Sequence, residues 1–435
     1  MAARLKDAAY LKYTEKTTDL MNAFQYRDNQ LMVENVPLDE IAAQVGTPAY
    51  VYSRAAFTEP LDAFDEAFKD IPHLVCYAVK GAANLSLLKM VAEKNGGADI
   101  VSGGELQRSR LAGIAPNRVV FSGVGKTAHE LTAALEADIL MFNVESEAEL
   151  ALLSRVAAGL NKKARVSLRI NPDVNPGTHP YIATGLKESK FGLALAPALA
   201  LYKEAAADPN LEVVGVACHI GSQLMTAAPF LDAAEKLKAL VLELAGLGIK
   251  LKYFDMGGGL GIRYSKEIPL RLADYAEGIK AILKDLPDIT LILEPGRYIS
   301  GNSAVLLAEV LYGKSNGEKN FVVVDAAMND LIRPSLYEAY HEIRPVRLRE
   351  GAPEIKVDVV GPICESSDFL AQNRVLPKLE PGDLIAVMSA GAYGYSMSSN
   401  YNARPRAAEV LVEGSTWRVI KPRETFEDLI RGEEI

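Results

Sequence analysis

Between about residues 50 and 300, short apolar runs alternate with stretches of helical period. The runs are LVCYAVK (74–80), GADIVS (97–102), RVVFSG (118–123), DILMFNV (138–144), RVSLRIN (165–171), EVVGVACHIG (212–221), KYFDMGGG (252–259) and ITLILEPGR (289–297), eight in all. Between them lie helical segments such as NLSLLKMVAEKNG, SGGELQRSRLAG, ESEAELALLSRVAAGL and PFLDAAEKLKALVLELAGLG, several closing on a glycine as a helix C-cap does. The runs are continuous rather than alternating, so they read as strands buried on both faces. Eight such strands separated by helices predict a parallel (β/α)8 barrel of the TIM type. On pattern alone, a doubly wound open sheet is the rival.

After about residue 303 the texture changes. FVVVDAAMND, IKVDVVGPIC, DLIAVMSAGAYG and RAAEVLVEG are short strands between Gly, Pro and charged turns, which predicts an all-β domain of sandwich or barrel-like form. Near the other end, Leu31 to Val33 reads as a strand contributed to that same domain, and the first twenty residues as helical or loosely held. The expected division is an N-terminal segment 1–47 belonging to the β domain, a barrel at 48–303, and a C-terminal β domain at 304–435.

Charge and composition narrow the function. The formal net charge is -9, and no basic block stands out to neutralise nucleic-acid phosphates. No apolar run reaches the ~18 residues needed to span a bilayer. The opening MAARLKDAAYLKYTEKTTDL is charged throughout and lacks an apolar signal core, so a cytoplasmic protein is expected. Three cysteines without CxxC spacing give neither a disulfide framework nor a zinc site, and no metal is expected. Cys76 and Cys218 lie in apolar runs and read as core packing; Cys364 does not.

The ends of the runs carry the chemistry. Lys80, Asp99 with Ser102, Asn143, Arg169 with Asn171, His219, Gly257 to Gly259, and Glu294 with Arg297 cluster at C-terminal strand ends, which in a barrel meet at one rim. Taken singly, Lys80 is an ordinary solvated strand end, His219 a satisfied core histidine, and GGGLG a tight turn. Together they offer more. Glycines after strands seven and eight let backbone N–H groups approach a phosphate. A rim with a phosphate site, a lysine and a carboxylate suits pyridoxal 5'-phosphate. Its aldehyde forms a Schiff base with a lysine whose pKa desolvation helps to lower, and Glu294 could keep the ring nitrogen protonated.

YAVK (77–80), HIGSQ (219–223), GGGLG (257–261) and EPGR (294–297), in this order, resemble the pyridoxal-phosphate-dependent decarboxylases of the alanine-racemase-like barrel fold (fold type III). HPYIATGLKESKFG (179–192), RPSLY (333–337), GPICESSD (361–368) and GAYG (391–394) narrow the resemblance to the branch acting on meso-diaminopimelate, at the last step of lysine biosynthesis. The resemblance covers roughly residues 28–415. It implies that Lys80 carries the cofactor, with Asp99 beside it. It further implies that His219 stacks on the ring, and that Glu294 pairs with the ring nitrogen. Ser222, Gly257, Gly258, Gly259 and the Pro295–Gly296 turn would hold the phosphate. Arg297, Arg333 and Tyr337 would bind the substrate's distal carboxylate, Glu365 its distal ammonium, and Tyr393 both cofactor and substrate. Cys364 would be the proton donor. Cys364 and Glu365 would come from the second subunit of a homodimer with shared active sites.

The residue types suit that substrate independently. Two arginines match a carboxylate with their planar forks, and a glutamate matches an ammonium. Lysine or ornithine has no distal carboxylate, and would leave buried arginines unpaired. A decarboxylase of arginine, lysine or ornithine is therefore the second reading, and a non-catalytic pyridoxal-phosphate-binding protein the third. One departure stands out: this family commonly follows its lysine with Ala-Asn, whereas Gly81 and Ala82 follow Lys80 here.

Overall fold

The computed structural model describes residues 23–174 and 190–435. Expectations for the first twenty residues, and most of the block at 179–192, lie outside the described residues.

Eight strands form a closed parallel barrel: β5 (His73–Ala78), β6 (Gly97–Ile100), β7 (Val119–Phe121), β8 (Met141–Val144), β9 (Ala164–Asn171), β11 (Leu211–Ala217), β12 (Tyr253–Asp255) and β13 (Thr290–Leu293). Each pairs with the next, and β13 pairs with β5 through Leu291↔His73 to close the ring, which rules out the open-sheet alternative. A two-residue strand, β10 (Leu193–Ala194), runs parallel beside the end of β9. Leu74, Cys76, Val120, Met141, Val214 and Ile292 pack together as a small cluster drawn from five strands. Cys76 and Cys218 are buried as expected, and burial pushes both thiols up in pKa, away from reactivity.

The helices after several strands start on a local signal. Ser102, Thr127 and Ser146 each accept a hydrogen bond from the backbone N–H three residues on, at Glu105, Glu130 and Glu149. This S/T-x-x-E spacing fixes where the chain turns from rim to helix. Gly113 and Gly248 follow their helices with φ of +91° and +84°.

A second sheet has nine strands. β14 (Ala304–Ser315) is its spine, pairing with β4 (Ala49–Ser53), β19 (Leu384–Val387) and β15 (Asn320–Val324) along its length. β17 (Glu354–Val360) and β18 (Phe369–Pro377) extend one side, and β20 (Ala408–Glu413) and β21 (Thr416–Lys421) the other; β16 (Ile343–Pro345) pairs with β19.

Two details differ from the sequence pattern. Ala49–Ser53, on the barrel side of the expected boundary at residue 48, lies within this sheet between β14 and β20. Its five residues are all buried, so the run looks like any other core strand. The strand around Leu31 forms its own three-stranded meander, β1 (Phe24–Arg27), β2 (Gln30–Val33) and β3 (Val36–Pro37). The meander joins the β domain by packing Phe24, Leu31 and Val33 against Val305, Leu307 and Val410, and through the bond from Leu31 N–H to Val346 O (2.8 Å). Among the described residues, no helix is long and apolar enough to cross a membrane.

Candidate active site at the barrel mouth

Lys80 does not sit in β5. The strand ends at Ala78, and Val79–Gly81 form one 3-10 turn that carries the lysine onto the rim. Its Nζ donates to Asp99 Oδ2 at 2.6 Å. Burial, the largest single influence, draws the amine's pKa down, as expected, but the Asp99 carboxylate, Tyr393 and Glu294 together outweigh it, and the net shift is upward. Lys80 is thus held as an ammonium. It must lose a proton before it can add to an aldehyde, and Asp99 Oδ2 is the hydrogen-bonded acceptor.

A cavity of about 340 Å³ opens in front of Lys80, lined also by Asn143, Arg169, Phe191, His219 and Glu294. His219 Nδ1 accepts from Gly258 N–H (3.1 Å), which leaves the ring proton on Nε2. Burial, then Arg169 and Lys80, hold its pKa well below the usual value, so the ring is neutral. Arg169 is itself pinned by Glu145 (2.6 Å).

Glu294 lies opposite. Its Oε1 accepts from Ser122 Oγ and from Asn143 Nδ2, both at 3.2 Å. Asn143 Nδ2 also donates to Asp255 Oδ2 (2.9 Å), and Asp255 Oδ1 accepts from Gly257 N–H (2.8 Å). Burial first, then the neighbouring Asp255, raise the Glu294 carboxyl well above the ordinary range. Asp255 is raised to about 6, chiefly by burial. The two behave as a carboxyl pair sharing a proton.

The glycine loop is built for close approach. A Cβ on Gly258 would stand 2.2 Å from Glu294 O, and one on Gly259 2.4 Å from Gly221 O. The N–H groups of Gly257 and Gly258 are turned to Asp255 and His219. These two glycines therefore brace the acid and the histidine. Pro295 O accepts from Ala78 N–H (3.1 Å), binding the end of β13 to the turn that holds Lys80. Gly296 precedes the short helix Arg297–Ser300.

The arginines form a second cluster. Arg297 Nη1 donates to Tyr264 Oη (2.6 Å), and its Nε and Nη2 to Ser222 Oγ (3.3 and 3.1 Å). Its guanidinium lies 5.0 Å from the centroid of the Tyr393 ring. Arg333 Nη1 donates to His341 Nε2 (2.8 Å). Tyr337 ends the short helix that Arg333 begins, and its hydroxyl contributes to the field at Arg297. Tyr393 reaches the mouth from the β domain, with its N–H donating to Gly81 O (2.8 Å) and a φ of +57°, a rare conformation for a residue with a side chain.

Cys364 and Glu365 do not join this cluster. Both are exposed; Cys364 N–H donates to Asn402 Oδ1 (2.8 Å), and Glu365 accepts from Tyr401 Oη (3.3 Å). Asn143, read from the sequence as a rim residue, takes its place here, and Ser122, Asp255, Tyr264 and His341, which the sequence did not single out, complete the site. Asp255, the last residue of β12 and two before the glycine run, carried the same rim signal as the residues named there.

Gly81 explains part of its own departure from the family pattern. A Cβ there would lie 3.2 Å from Ser300 Oγ and 3.4 Å from Tyr77 Oη. Gly81→Ala should therefore destabilise the fold by about 1 kcal/mol, and adding Ser300→Ala should recover most of that loss. Thermal unfolding of the two single variants and the double variant measures the coupling.

The mouth fits pyridoxal phosphate. A lysine stands beside a buried aspartate whose Oδ1 lacks a partner among the described residues. A buried acid faces it, and the Gly258–Gly259 turn closes on backbone oxygens where any side chain would clash.

Residues 54–301 match the family model described as "Pyridoxal-dependent decarboxylase, pyridoxal binding domain". A diaminopimelate decarboxylase of Pseudomonas aeruginosa is 54% identical over 95% of this chain and 99% of its own length. The crystal structure of diaminopimelate decarboxylase from Helicobacter pylori, complexed with L-lysine, superposes with a TM-score of 0.88 at 47% identity, covering 91% of this chain and 98% of that one. The crystal structure of diaminopimelate decarboxylase from "m. jannaschii", in co-complex with L-lysine, gives a TM-score of 0.91 at 38% identity, covering 96% of this chain and 98% of that one. Motif order, barrel geometry and full-length likeness agree: this chain belongs to the diaminopimelate decarboxylase family of pyridoxal-dependent decarboxylases.

Proposed function

We propose that this chain converts meso-2,6-diaminopimelate to L-lysine and carbon dioxide, as a cytoplasmic homodimer with shared active sites. The observation that carries the substrate is the pair Arg297 and Arg333. Both are buried, at 8% and 6% exposure, and their hydrogen-bond partners are the neutral Ser222, Tyr264 and His341. Two buried cations without a carboxylate among the described residues suit a ligand that brings one.

Pyridoxal phosphate, when bound, supplies an electron sink for the pair left on the α-carbon as carbon dioxide departs. Lys80 tethers it and Asp99 handles the lysine's proton. Neutral His219 offers a flat uncharged face, and Glu294 an acid for the ring nitrogen. Ser222, Gly259 and the Gly296 turn are the residues for the phosphate, while Gly257 and Gly258 brace Asp255 and His219, and Pro295 ties the turn to Ala78. Arg297, Arg333 and Tyr337 hold the distal carboxylate, and Tyr393 closes the mouth. Cys364 of the partner subunit protonates the α-carbon, and the partner subunit's Glu365 meets the distal ammonium. Their exposure, with bonds to Asn402 and Tyr401 and none to the arginine cluster among the described residues, favours a shared site over a role within one subunit. In this reading the barrel carries the cofactor and the β domain carries Tyr393, Cys364 and Glu365. The buried reduced thiols Cys76 and Cys218 suit a cytoplasmic setting.

Carbon dioxide release from a substrate panel, with and without added pyridoxal phosphate, tests the substrate. Meso-diaminopimelate should exceed lysine and ornithine by about 10⁴-fold in kcat/KM. Faster release from lysine or ornithine would reject the assignment.

A further inference from the structure

We propose that Tyr264, seated on His341, is a specificity-determining residue: it holds Arg297 and Arg333 as one fork for a carboxylate. This rests on the distal-carboxylate reading above. Neither residue belongs to the motifs that mark the family in this sequence.

Four observations meet at Tyr264. Its hydroxyl accepts from Arg297 Nη1 at 2.6 Å. Its ring lies under Arg333, whose guanidinium carbon is 4.8 Å from the centroid, and within 5.8 Å of that of Arg297. Its ring meets the His341 imidazole edge-on at 5.4 Å. Finally, His341 anchors the far side, because its Nδ1 bonds to Met388 O (2.8 Å) and its Nε2 faces Arg333 Nη1 (2.8 Å).

These contacts solve a physical problem. Two buried guanidiniums repel each other, and each needs acceptors for its N–H groups. A carboxylate would satisfy them, but it would also neutralise the site and compete with a ligand. Tyr264 and His341 instead supply neutral acceptors and an aromatic face, so both cations stay in position with charge to spare. The histidine is held neutral, its pKa pushed down to about 3 by burial and by Arg333, so it accepts rather than donates. The phenol responds to the same field: burial raises its pKa, but the two arginines more than reverse this. The loop after β12 supplies Tyr264 and the β domain supplies Arg333 and His341, so the fork spans both domains.

The test uses a matched pair of inhibitors on the pyridoxal-phosphate-loaded enzyme. L-lysine retains the distal carboxylate after the reaction, and 1,5-diaminopentane is the same skeleton without it. Tyr264→Phe keeps the ring and removes the acceptor. It should raise KM for meso-diaminopimelate and Ki for L-lysine by about tenfold, with Ki for 1,5-diaminopentane unchanged and kcat within about threefold. His341→Leu should do the same, and His341→Gln, which restores an acceptor, should reverse it. Equal weakening of both inhibitors, or loss of the cofactor's absorbance in Tyr264→Phe, would make the role structural and overturn the proposal. If the parent enzyme prefers L-lysine but Tyr264→Phe leaves that preference intact, the proposal also fails and the carboxylate reading stands. If the parent enzyme does not prefer L-lysine to 1,5-diaminopentane, the carboxylate reading itself fails, and this inference with it.

Discussion

Subunits carrying Lys80→Ala, mixed with subunits carrying Cys364→Ala, are expected to recover about a quarter of the parent turnover, although each variant alone is nearly inactive. Lys80→Ala removes the amine that tethers the cofactor and should lower kcat by about 10⁴-fold or more. Cys364→Ala removes the proposed proton donor. It should lower kcat by about 10²–10⁴-fold while leaving the bound cofactor's absorbance intact. Random re-pairing makes about half the dimers mixed. In each mixed dimer one site holds both defects and the other holds neither, so half of the sites in half of the dimers work. The reason to expect this lies in the two loops. Lys80 is fixed at the mouth by Asp99, whereas Cys364 is exposed and bonded through its backbone to Asn402. Subunit exchange can be followed by native mass spectrometry and activity by carbon dioxide release. No recovery after complete exchange would remove Cys364 from a shared site.

Glu294→Gln should lower kcat by about 10²–10³-fold without unfolding the barrel, and shift the visible absorption of the bound cofactor. The carboxyl is raised in pKa by burial and by Asp255, so before any cation meets it Glu294 is the proton-bearing member of the pair. A positively charged ring nitrogen placed against it would reverse that preference, because an opposite charge favours the ionised form. An amide can keep the bonds from Ser122 and Asn143 but cannot become an anion. Asp255→Asn should cost less, about tenfold, since it removes the partner acid but leaves Glu294 ionisable. Equal kcat for Glu294→Gln and the parent would show that the ring nitrogen needs no anion here.

The eight barrel strands were legible because each is a continuous apolar run ending in a polar or glycine residue, and that signal is local. The rim was legible for the same reason: once the strands are known, their ends must converge. What sequence hid depends on contacts between distant segments. Tyr264 meets His341 across two domains, and nothing near either residue announces the other. Lys80 read as the last residue of a strand because Val79 is apolar, yet the turn there is fixed by Pro295 and Gly296 after β13, distant in sequence but the neighbour of β5 in the closed barrel. The net rise in its pKa was hidden too, since the composition of YAVKG says nothing about which carboxylate stands 2.6 Å away. Gly81, the residue that departs from the family's usual spelling, makes sense only beside Ser300.

The position of β4 has a consequence in time. This strand, with Tyr50 and Tyr52 wholly buried, lies between β14 and β20 in the finished sheet. The whole of the barrel, residues 54–303, is synthesised before the first residue of β14. At translation speeds of about 5–20 residues per second, β4 waits roughly 10–50 s for a partner. The barrel can close around its own core in that interval, while a strand whose five residues are all buried in the finished protein is still without a sheet.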